Sequence, residues 1–584
     1  MSQTIDEKNV PDTSPIDDKH PPSNGKDSST TGPGDGPSSG DKEYADYVTG
    51  YKFIALLGAV TVVFFLVLLD QTIISTATPA ITADLNALSD IGWYAGAYQL
   101  TSGALQPLAG KLYTYLRTKW TFLFFLFLFE LGSLVCGVAK SSSVLIGGRA
   151  IAGAGAAGLT NGGLTIISVA VPLEKRPLQL GILFGVGQLG LIVAPLIGGA
   201  LTQYVTWRWC FYINLPIGGF GALLLILIHI PDNAAKEPFS FALVRKILPK
   251  LDLFGFALFA PASTMFLLAL QFGADNNYAW NSSVIIGLFV GAGVTGILFV
   301  LWERRVGDIA MIPGAVVKHR EVWSSCGNIF CLTFVVFIAN FYLPVYFQAV
   351  KGVGPSLSGV YLLPGILSQL LLVVLSGAAV SKLGYYMPWS IFSGALTSIG
   401  GGLASTFRPN TSTGKWIGYQ ILQGAGRGAG MQMALISTQN TVGTELIPIA
   451  MSLLIFSQNL AGAIAVVIAT TIFAQSLLDD LPRFAPSVSP AAAVAAGSSA
   501  DSVRALVPPG SPELHGLLLA FSYAVDKTFY LVAAFGVAAL GFGLLMGWKD
   551  VRKKDAKKET SLEEGQDKKD SSLESQTEKN EMMV

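Results

Sequence analysis

Charged residues are scarce through most of this chain. Only 13% of its 584 residues are Asp, Glu, Lys or Arg, about half the share that soluble proteins carry. Residues 1–48 and 549–584 together hold 33 of the 76 charged residues, which leaves the 500 residues between them almost bare. A soluble protein cannot cover its surface in this way, whereas a protein surrounded by lipid can. The formal net charge of zero also argues against a nucleic-acid partner.

Signatures of ATP hydrolysis and metal binding are lacking as well. There is no Walker A pattern, and the cysteines do not have the spacing of metal ligands. We therefore expect neither an enzyme nor an ATP-driven pump, and no metal or cofactor. The cysteines lie inside apolar stretches, which predicts buried thiols at Cys136, Cys210, Cys326 and Cys331.

One glycine pattern imitates a nucleotide site. Residues 149–158, RAIAGAGAAG, contain G-x-G-x-x-G, but no strand and exposed turn precede them, as dinucleotide binding requires. The stretch 143–173 carries one charge, Arg149, and would lie within a membrane. Small residues four apart, such as Gly158 and Gly162, instead predict close helix packing in lipid.

Hydrophobic sequence is abundant, in runs long enough to cross a bilayer. A spanning helix needs about 20 apolar residues, and the chain has 14 such runs. The predicted fold class is therefore an all-α membrane protein with 14 transmembrane helices. The predicted spans are 52–77, 91–112, 120–139, 143–171, 177–203, 209–230, 253–272, 282–302, 322–348, 356–380, 388–406, 416–438, 448–474 and 527–548.

The distribution of Lys and Arg predicts the orientation. With both termini cytoplasmic, the short inner loops hold 14 Lys or Arg residues and the short outer loops hold five, in line with the positive-inside rule. The two N-x-S/T sequons, at Asn281 and Asn410, then fall on outer loops, where glycosylation is predicted. Composition predicts disordered cytoplasmic tails at 1–48 and 549–584. It also predicts a long flexible outer loop at 475–526, with one short surface helix.

An internal repeat divides the hydrophobic region. At a constant offset of 271 residues, GKLYTY aligns with SKLGYY, LIGGRAIAGAG aligns with WIGYQILQGAG, and the prolines that open spans 5 and 13 coincide. Two parallel repeats place a substrate site between them, near the middle of the membrane. The predicted domains are a six-helix N-terminal half at 49–230, two inserted spans with cytoplasmic loops at 231–321, and a six-helix C-terminal half at 322–548.

A stripe of small residues marks span 5, GILFGVGQLGLIVAPLIGGAL, and a proline within it bends the helix. This stretch resembles motif C of the major facilitator superfamily, the antiporter signature G-x8-G-x3-G-P-x2-G-G, with alanine in place of one glycine. In that family the motif marks exporters rather than importers. The matching positions are Gly181, Gly190, Ala194, Pro195, Gly198 and Gly199.

Other stretches resemble the same superfamily, over nearly all of residues 50–550. LLDQTIISTATPAI resembles the motif of span 1, with Asp70 as its acid, and Arg149 matches the basic residue of motif B. WRWCFYINLPIG, followed by two inserted spans, is similar to the 14-span drug:proton antiporter branch, and 110–139 is similar to fungal toxin-efflux pumps. The chain departs from the family at motif A, whose acidic position holds Thr114. We expect the basic residues of that motif to act only as positive-inside anchors: Lys111, Arg117 and Lys119.

Ionisable residues at membrane depth are costly and point to function. Asp70 on span 1 and Arg149 on span 4 have opposite charge, and the resemblance implies that both spans line the central cavity. A movement that switches Asp70 between Arg149 and apolar surroundings would bind and release a proton. Glu130 on span 3 is a further candidate for proton coupling. The sequence leaves open that Asp70 is a structural cap near the outer boundary and that Glu130 pairs with a neighbour.

Further polar residues within the spans either line a substrate cavity or join helices through hydrogen bonds. Arg427 has no counterpart in the first half, and is either a substrate ligand or one side of a structural ion pair. The predicted cavity residues are Gln99, Gln106, Gln188, Asn340, Gln423, Arg427, Gln458 and Asn459.

These observations predict a proton-coupled antiporter that exports an amphipathic small molecule, such as a secondary metabolite, toxin or drug. Its partners would be that substrate, protons and the lipid bilayer, and we expect a monomer. The predicted location is the plasma membrane, with the vacuolar membrane as the alternative. A vacuolar basic amino-acid transporter or a siderophore transporter of the same branch, and a non-transporting membrane sensor, are the alternative functions. The scarcity of acidic residues in the spans disfavours a cationic cargo.

Overall fold

The computed structural model describes residues 49–87, 90–232, 236–238, 240–274, 278–496, 500–508 and 511–552. Within these ranges the chain is helical, and its only β-type pairing is a single bridge between Tyr385 and Asp550. The predicted all-α class is therefore confirmed. The predicted tail 1–48 and most of the tail 549–584 lie outside the described residues.

Each predicted span coincides with a long helix. We number these helices α1 to α14 in chain order: Gly50–Leu85, Ile91–Tyr115, Thr118–Gly137, Ser142–Ala170, Arg176–Tyr204, Asn214–Leu227, Leu253–Ala274, Ser283–Val306, Arg320–Val345, Leu363–Leu383, Met387–Ala404, Thr413–Gly430, Ile447–Phe484 and Glu513–Leu545.

Eleven helical segments of the described chain are long and apolar enough to cross a membrane. The other three predicted spans correspond to α2, α11 and α12, which are less apolar. In α2 and α12 the reason is visible in the sequence, because α2 carries two Gln and one Lys, and α12 carries two Gln, one Lys and one Arg. Most of these polar side chains are buried between helices. The count of 14 spans stays a prediction for α2, α11 and α12.

The segment predicted as a long flexible outer loop, 475–526, is largely helical, so this prediction is wrong in its extent. Helix α13 continues to Phe484, and α14 begins at Glu513. The extensions hold because their apolar side chains, among them Leu481 and Phe521, are fully buried in the core of the C-terminal half. Two short helices lie between them, Pro490–Ala496 and Ala500–Arg504.

The helices of the two predicted halves pack in equivalent ways. In the first half α1 packs against α5 and α6, and α4 packs against α2 and α3. In the second half α9 packs against α13 and α14, and α12 packs against α10 and α11. Each pair in the second half follows its counterpart by eight helices, as the sequence repeat predicts.

The two halves meet mainly along two helix pairs, α2 with α13 and α5 with α10, and less closely where α4 contacts α13. Glycines allow this approach: a Cβ atom on Gly181 would lie 2.8 Å from the carbonyl oxygen of Val373. A Cβ atom on Gly110 would lie 3.0 Å from the carbonyl oxygen of Pro448. Both positions are near the side of the protein on which α1 begins and α14 ends, which we call the terminal side.

The apolar cores show that the protein is closed on the terminal side. The core there combines residues of both halves, such as Leu180 and Leu183 with Val373 and Met451. On the opposite side the cores are separate, because one contains residues of the first half alone and another contains residues of the second half alone. The described conformation therefore joins the halves at one end only.

Candidate functional site

An ion pair is buried inside the first half, between α1 and α4. Nη1 of Arg149 lies 2.6 Å from Oδ2 of Asp70, and the two side chains are 1% and 0% exposed. Both residues were predicted from the sequence, and the structure brings them together. The pair adjoins the core on the side opposite the termini, where Leu69 and Ile73 of α1 are buried.

Residues of the first half hold Arg149 on its other sides. Its Nε donates a hydrogen bond of 2.9 Å to the carbonyl oxygen of Tyr94. Its guanidinium carbon lies 4.4 Å from the ring centroid of Tyr98 and 6.0 Å from that of Phe211, within the range of cation–π attraction. Since every one of these contacts comes from the first half, the ion pair is closed off from the second half in this conformation.

A short hydrogen-bonded chain extends from Asp70 through Asn214 to Ser133, and Glu130 lies near its end. Nδ2 of Asn214, at the start of α6, donates to Oδ1 of Asp70 at 3.0 Å and to Oγ of Ser133 at 3.1 Å. Glu130 lies one turn before Ser133 on α3, so both face α6, where the absence of a side chain at Gly218 makes room for the Glu130 carboxylate. Neither oxygen of that carboxylate has a hydrogen-bond partner. Glu130 does not pair with a neighbour, contrary to one of the two readings of the sequence.

Sequence reasoning missed Asn214, although a signal was present. It is a polar residue just inside span 6, in the stretch WRWCFYINLPIG that already carried the family resemblance. The sequence also predicted one continuous helix there, whereas the structure has a short helix, Trp209–Tyr212, and a joint at Ile213 before α6 begins. The joint turns Asn214 into the first half, where it is 0% exposed.

The antiporter-motif residues do not form one contact surface. Gly190 and Gly198 face α1, where added Cβ atoms would lie 2.8 Å from the carbonyl oxygen of Phe65 and 2.8 Å from Cγ1 of Ile73. Ala194, midway between them on the same face, is 0% exposed. The other three motif residues lie elsewhere: Gly181 faces α10 of the second half, Pro195 is exposed, and Gly199 has open space around it.

The predicted cavity residues differ in burial. Gln106, Gln423 and Arg427 are buried, Gln99, Gln188, Gln458 and Asn459 are half-buried, and Asn340 is exposed. Nε2 of Gln188 lies 3.7 Å from the sulfur of Met431, which is one of the few polar contacts between the halves. Four of the predicted cavity residues have buried polar atoms without a hydrogen-bond partner: Gln106, Gln423, Arg427 and Asn459.

Lys111 is more than the positive-inside anchor that the sequence predicted. It is 0% exposed, and its Nζ donates to the carbonyl oxygen of Ile309, after α8, at 3.0 Å. Close to Ile309, the backbone nitrogen of Met311 donates to the carboxylates of Asp252 and Glu303 from the inserted region. Sequence reasoning missed these two acids because they precede α7 and end α8, outside the repeated halves. Lys111 therefore ties the inserted pair of helices to the first half.

The loop after α6 contacts the connection between α2 and α3 on the terminal side. Oδ1 of Asp232 accepts a hydrogen bond of 2.7 Å from the backbone nitrogen of Thr118, the first residue of α3. Nζ of Lys236 donates to the carbonyl oxygen of Tyr113 at 2.7 Å, and burial lowers the pKa of this lysine. Lys119 likewise donates to Ile226 and Ile228 of the same region. Hydrogen bonds to the backbone thus stabilise the α2–α3 connection, next to the motif A position where Thr114 replaces the acidic residue.

Within the described ranges, the cysteines, the potential metal ligands and the two sequons show no further site. The four cysteines are free and buried, as predicted. In the part of the chain that the structure describes, no group of three His, Cys, Asp or Glu residues is placed to hold a metal ion. Asn281 and Asn410 are exposed in turns before α8 and α12.

Two helical halves around a polar interior define a membrane transporter, and sequence comparison supplies its family. The sequence profile of the Major Facilitator Superfamily matches residues 60–466, and the chain belongs to this family. It is therefore a membrane transporter and not an enzyme.

Individual relatives are similar over most of the chain. It is 55% identical over 519 residues to the MFS-type transporter calB of Penicillium decumbens, covering 89% of this chain and 92% of that protein. It is 48% identical over 518 residues to the efflux pump mlcE of Penicillium citrinum, covering 88% and 93%. The solved proton:xylose symporter XylE aligns with 84% of this chain and 95% of its own, with a TM-score of 0.53 and 13% identity. That likeness concerns the fold alone.

Proposed function

We propose that this protein is a proton-coupled antiporter that exports an amphipathic small molecule, such as a secondary metabolite, toxin or drug. The observation that carries the proposal is the buried ion pair between Asp70 and Arg149 in a two-half transporter. The small-residue face of α5 against α1 supports export, as does the similarity to a fungal protein named an efflux pump. The scarcity of acids within the spans argues against basic amino acids as cargo, and the described residues include no domain typical of a sensor.

The ion pair offers a simple coupling step. A proton that binds the Asp70 carboxylate gives a neutral carboxyl group and ends its ion pair with Arg149. Arg149 then keeps its hydrogen bond to the Tyr94 carbonyl oxygen and its contact with the Tyr98 ring. The hydrogen bond from Asn214 to Asp70 becomes weaker, because its acceptor is no longer charged. Since Asp70 lies on α1, Arg149 on α4 and Asn214 on α6, protonation loosens three helices at once. We propose that this loosening permits the halves to close on the opposite side and open on the terminal side.

The proton gradient supplies enough free energy for concentrative export. One charge crossing 100 mV releases about 2.3 kcal/mol, and one pH unit adds about 1.4 kcal/mol. Because about 1.4 kcal/mol corresponds to a tenfold ratio, one proton sustains a concentration ratio of roughly a few hundredfold. No cofactor is needed in this scheme. We propose the plasma membrane as the location, cytoplasmic termini, a monomer, and the domain boundaries given above.

Transport in inside-out membrane vesicles tests this function. An imposed gradient, acidic inside the vesicle, is expected to drive uptake of a fluorescent amphipathic probe, and a protonophore is expected to abolish that uptake. Vesicles without the protein are the control. Uptake that is equal with and without the gradient would rule out proton-coupled export.

A further inference from the structure

A positive charge without a counter-ion is buried inside α12. Arg427 is 3% exposed, and its Nε and Nη1 atoms have no hydrogen-bond partner. In the described residues it forms no ion pair, whereas Asp70 pairs with Arg149 and Asp526 pairs with Arg408. The structural ion pair, which the sequence left open as one role for Arg427, is therefore not formed here. A buried guanidinium without a partner is strongly destabilising, so a ligand that pairs with Arg427 would stabilise this conformation.

Two further polar side chains at a similar depth also carry donors without a partner. Nε2 of Gln423, one turn before Arg427 on α12, has no partner, and neither does Nδ2 of Asn459 on α13. A short helix, Met433–Thr441, follows α12 on the terminal side, and Arg427 lies roughly 21 Å from the end of that helix at 1.5 Å per helical residue. Asn459 lies roughly 18 Å from the start of α13. Both depths are near the middle of a hydrocarbon layer that is about 30 Å thick. Unsatisfied N–H groups on two helices therefore lie at the depth where a parallel-repeat transporter binds its cargo.

An aromatic cluster continues the same face of α12 toward the opposite side. Trp416, Gln420, Gln423 and Arg427 follow the spacing of one helix face, and all four are buried. The ring of Trp416 lies 5.0 Å from that of Phe347 and 4.8 Å from that of Tyr361. Gln420 donates to the carbonyl oxygen of Tyr361 at 2.9 Å, which holds this end of the face in place. The face thus has an apolar aromatic end and a cationic end.

We propose that Arg427 binds a carboxylate of the exported molecule, so that the cargo is an amphipathic organic acid. This inference rests on the proposed export function and names its substrate class. A guanidinium forms two parallel hydrogen bonds with a carboxylate, and Gln423, one turn away on the same helix face, offers a further donor. A single guanidinium balances one negative charge, whereas a phosphate group carries about −1.5 to −2 and would need a second cation. The apolar part of the molecule would lie toward Trp416.

Binding in detergent tests this inference apart from transport. Three probes share one skeleton: a pyrene-labelled alkyl carboxylic acid, its methyl ester and the corresponding primary amine. Each is titrated by fluorescence into the purified full-length protein and its variants Arg427→Gln and Arg427→Lys. The control is Arg304→Gln, which removes an exposed arginine at the end of α8. The thermal unfolding midpoint of each protein is measured without probe.

The wild type is expected to bind the acid about tenfold or more tightly than the ester or the amine, in line with a charge-assisted pair. Arg427→Gln is expected to remove this preference, and Arg427→Lys to restore part of it. The unfolding midpoint of Arg427→Gln should stay level or rise, because an unpaired charge is removed, whereas loss of a structural ion pair would lower it.

Equal binding of the three probes, or an acid preference that survives in Arg427→Gln, would overturn the inference. Its failure is distinguishable from failure of the export function. Gradient-driven uptake of the ester or the amine, with no preference for the acid, would refute only the substrate class. Binding of the acid without gradient-driven uptake would refute only the export function.

Discussion

Gly198 and Gly199 are adjacent glycines with opposite surroundings, which makes them a matched test of the α1–α5 contact. A Cβ atom at Gly198 would lie 2.8 Å from Cγ1 of Ile73 and 3.0 Å from its carbonyl oxygen. Carbon atoms pack best at about 3.5 to 4.0 Å, so even alanine forces α1 and α5 apart by several tenths of an ångström. Overpacking of this kind costs about 1–3 kcal/mol. At Gly199 an added Cβ atom has no neighbour within 4 Å.

We therefore expect Gly198→Ala to lower the thermal unfolding midpoint and the initial rate of export, and Gly198→Leu to abolish export while the protein still inserts into the membrane. Gly199→Ala should leave both quantities unchanged. The assays are thermal unfolding of purified protein and probe efflux from cells that express equal amounts of each variant. Equal losses in Gly198→Ala and Gly199→Ala would refute the reasoning, as would normal export by Gly198→Leu.

Two further predictions follow from the terminal-side contacts and the sequons. Lys111→Met should lower the stability by about 1–3 kcal/mol, because it leaves the Ile309 carbonyl oxygen without its donor. Lys382→Met, at an exposed lysine of α10, is the control, and equal unfolding midpoints for the two variants would contradict the assignment. If both termini are cytoplasmic, Asn281→Gln and Asn410→Gln should each remove one glycosidase-sensitive step in mass. Glycosylation of a sequon introduced between α2 and α3 would contradict this prediction, because it would show that the termini lie on the outer side.

Much of the fold could be predicted from the sequence because a membrane-spanning helix requires a long apolar run, which is visible in the composition. Long apolar runs and the 271-residue offset predicted the helices and their repeat, and the helix packing agrees. The outer segment 475–526 was misjudged because its Pro, Ala and Ser content is typical of a loop. The composition does not show that Leu481 and Phe521 are buried in the core of the second half. Burial against a distant core outweighed local composition there.

The candidate site was predicted only in part, for a related reason. Opposite charges in two spans were enough to suggest the pair of Asp70 and Arg149, since isolated charges at membrane depth need partners. Asn214 escaped notice because its role depends on a helix joint that hydropathy does not record. Lys111 was misassigned because basic residues near span ends are usually anchors. Its burial depends on the inserted helices, which lie outside the repeat.

The most direct test of the account is proton flux through Asp70→Asn in reconstituted liposomes. Probe accumulation and internal pH are followed together under an imposed pH gradient, with wild type and Arg304→Gln as references. The account predicts that Asp70→Asn still binds the probe but neither accumulates it nor moves protons with it, because the carboxylate that pairs with Arg149 is gone. If Asp70→Asn still concentrates the probe in response to the gradient, the proton is carried elsewhere, and the unpartnered Glu130 is then the residue to test.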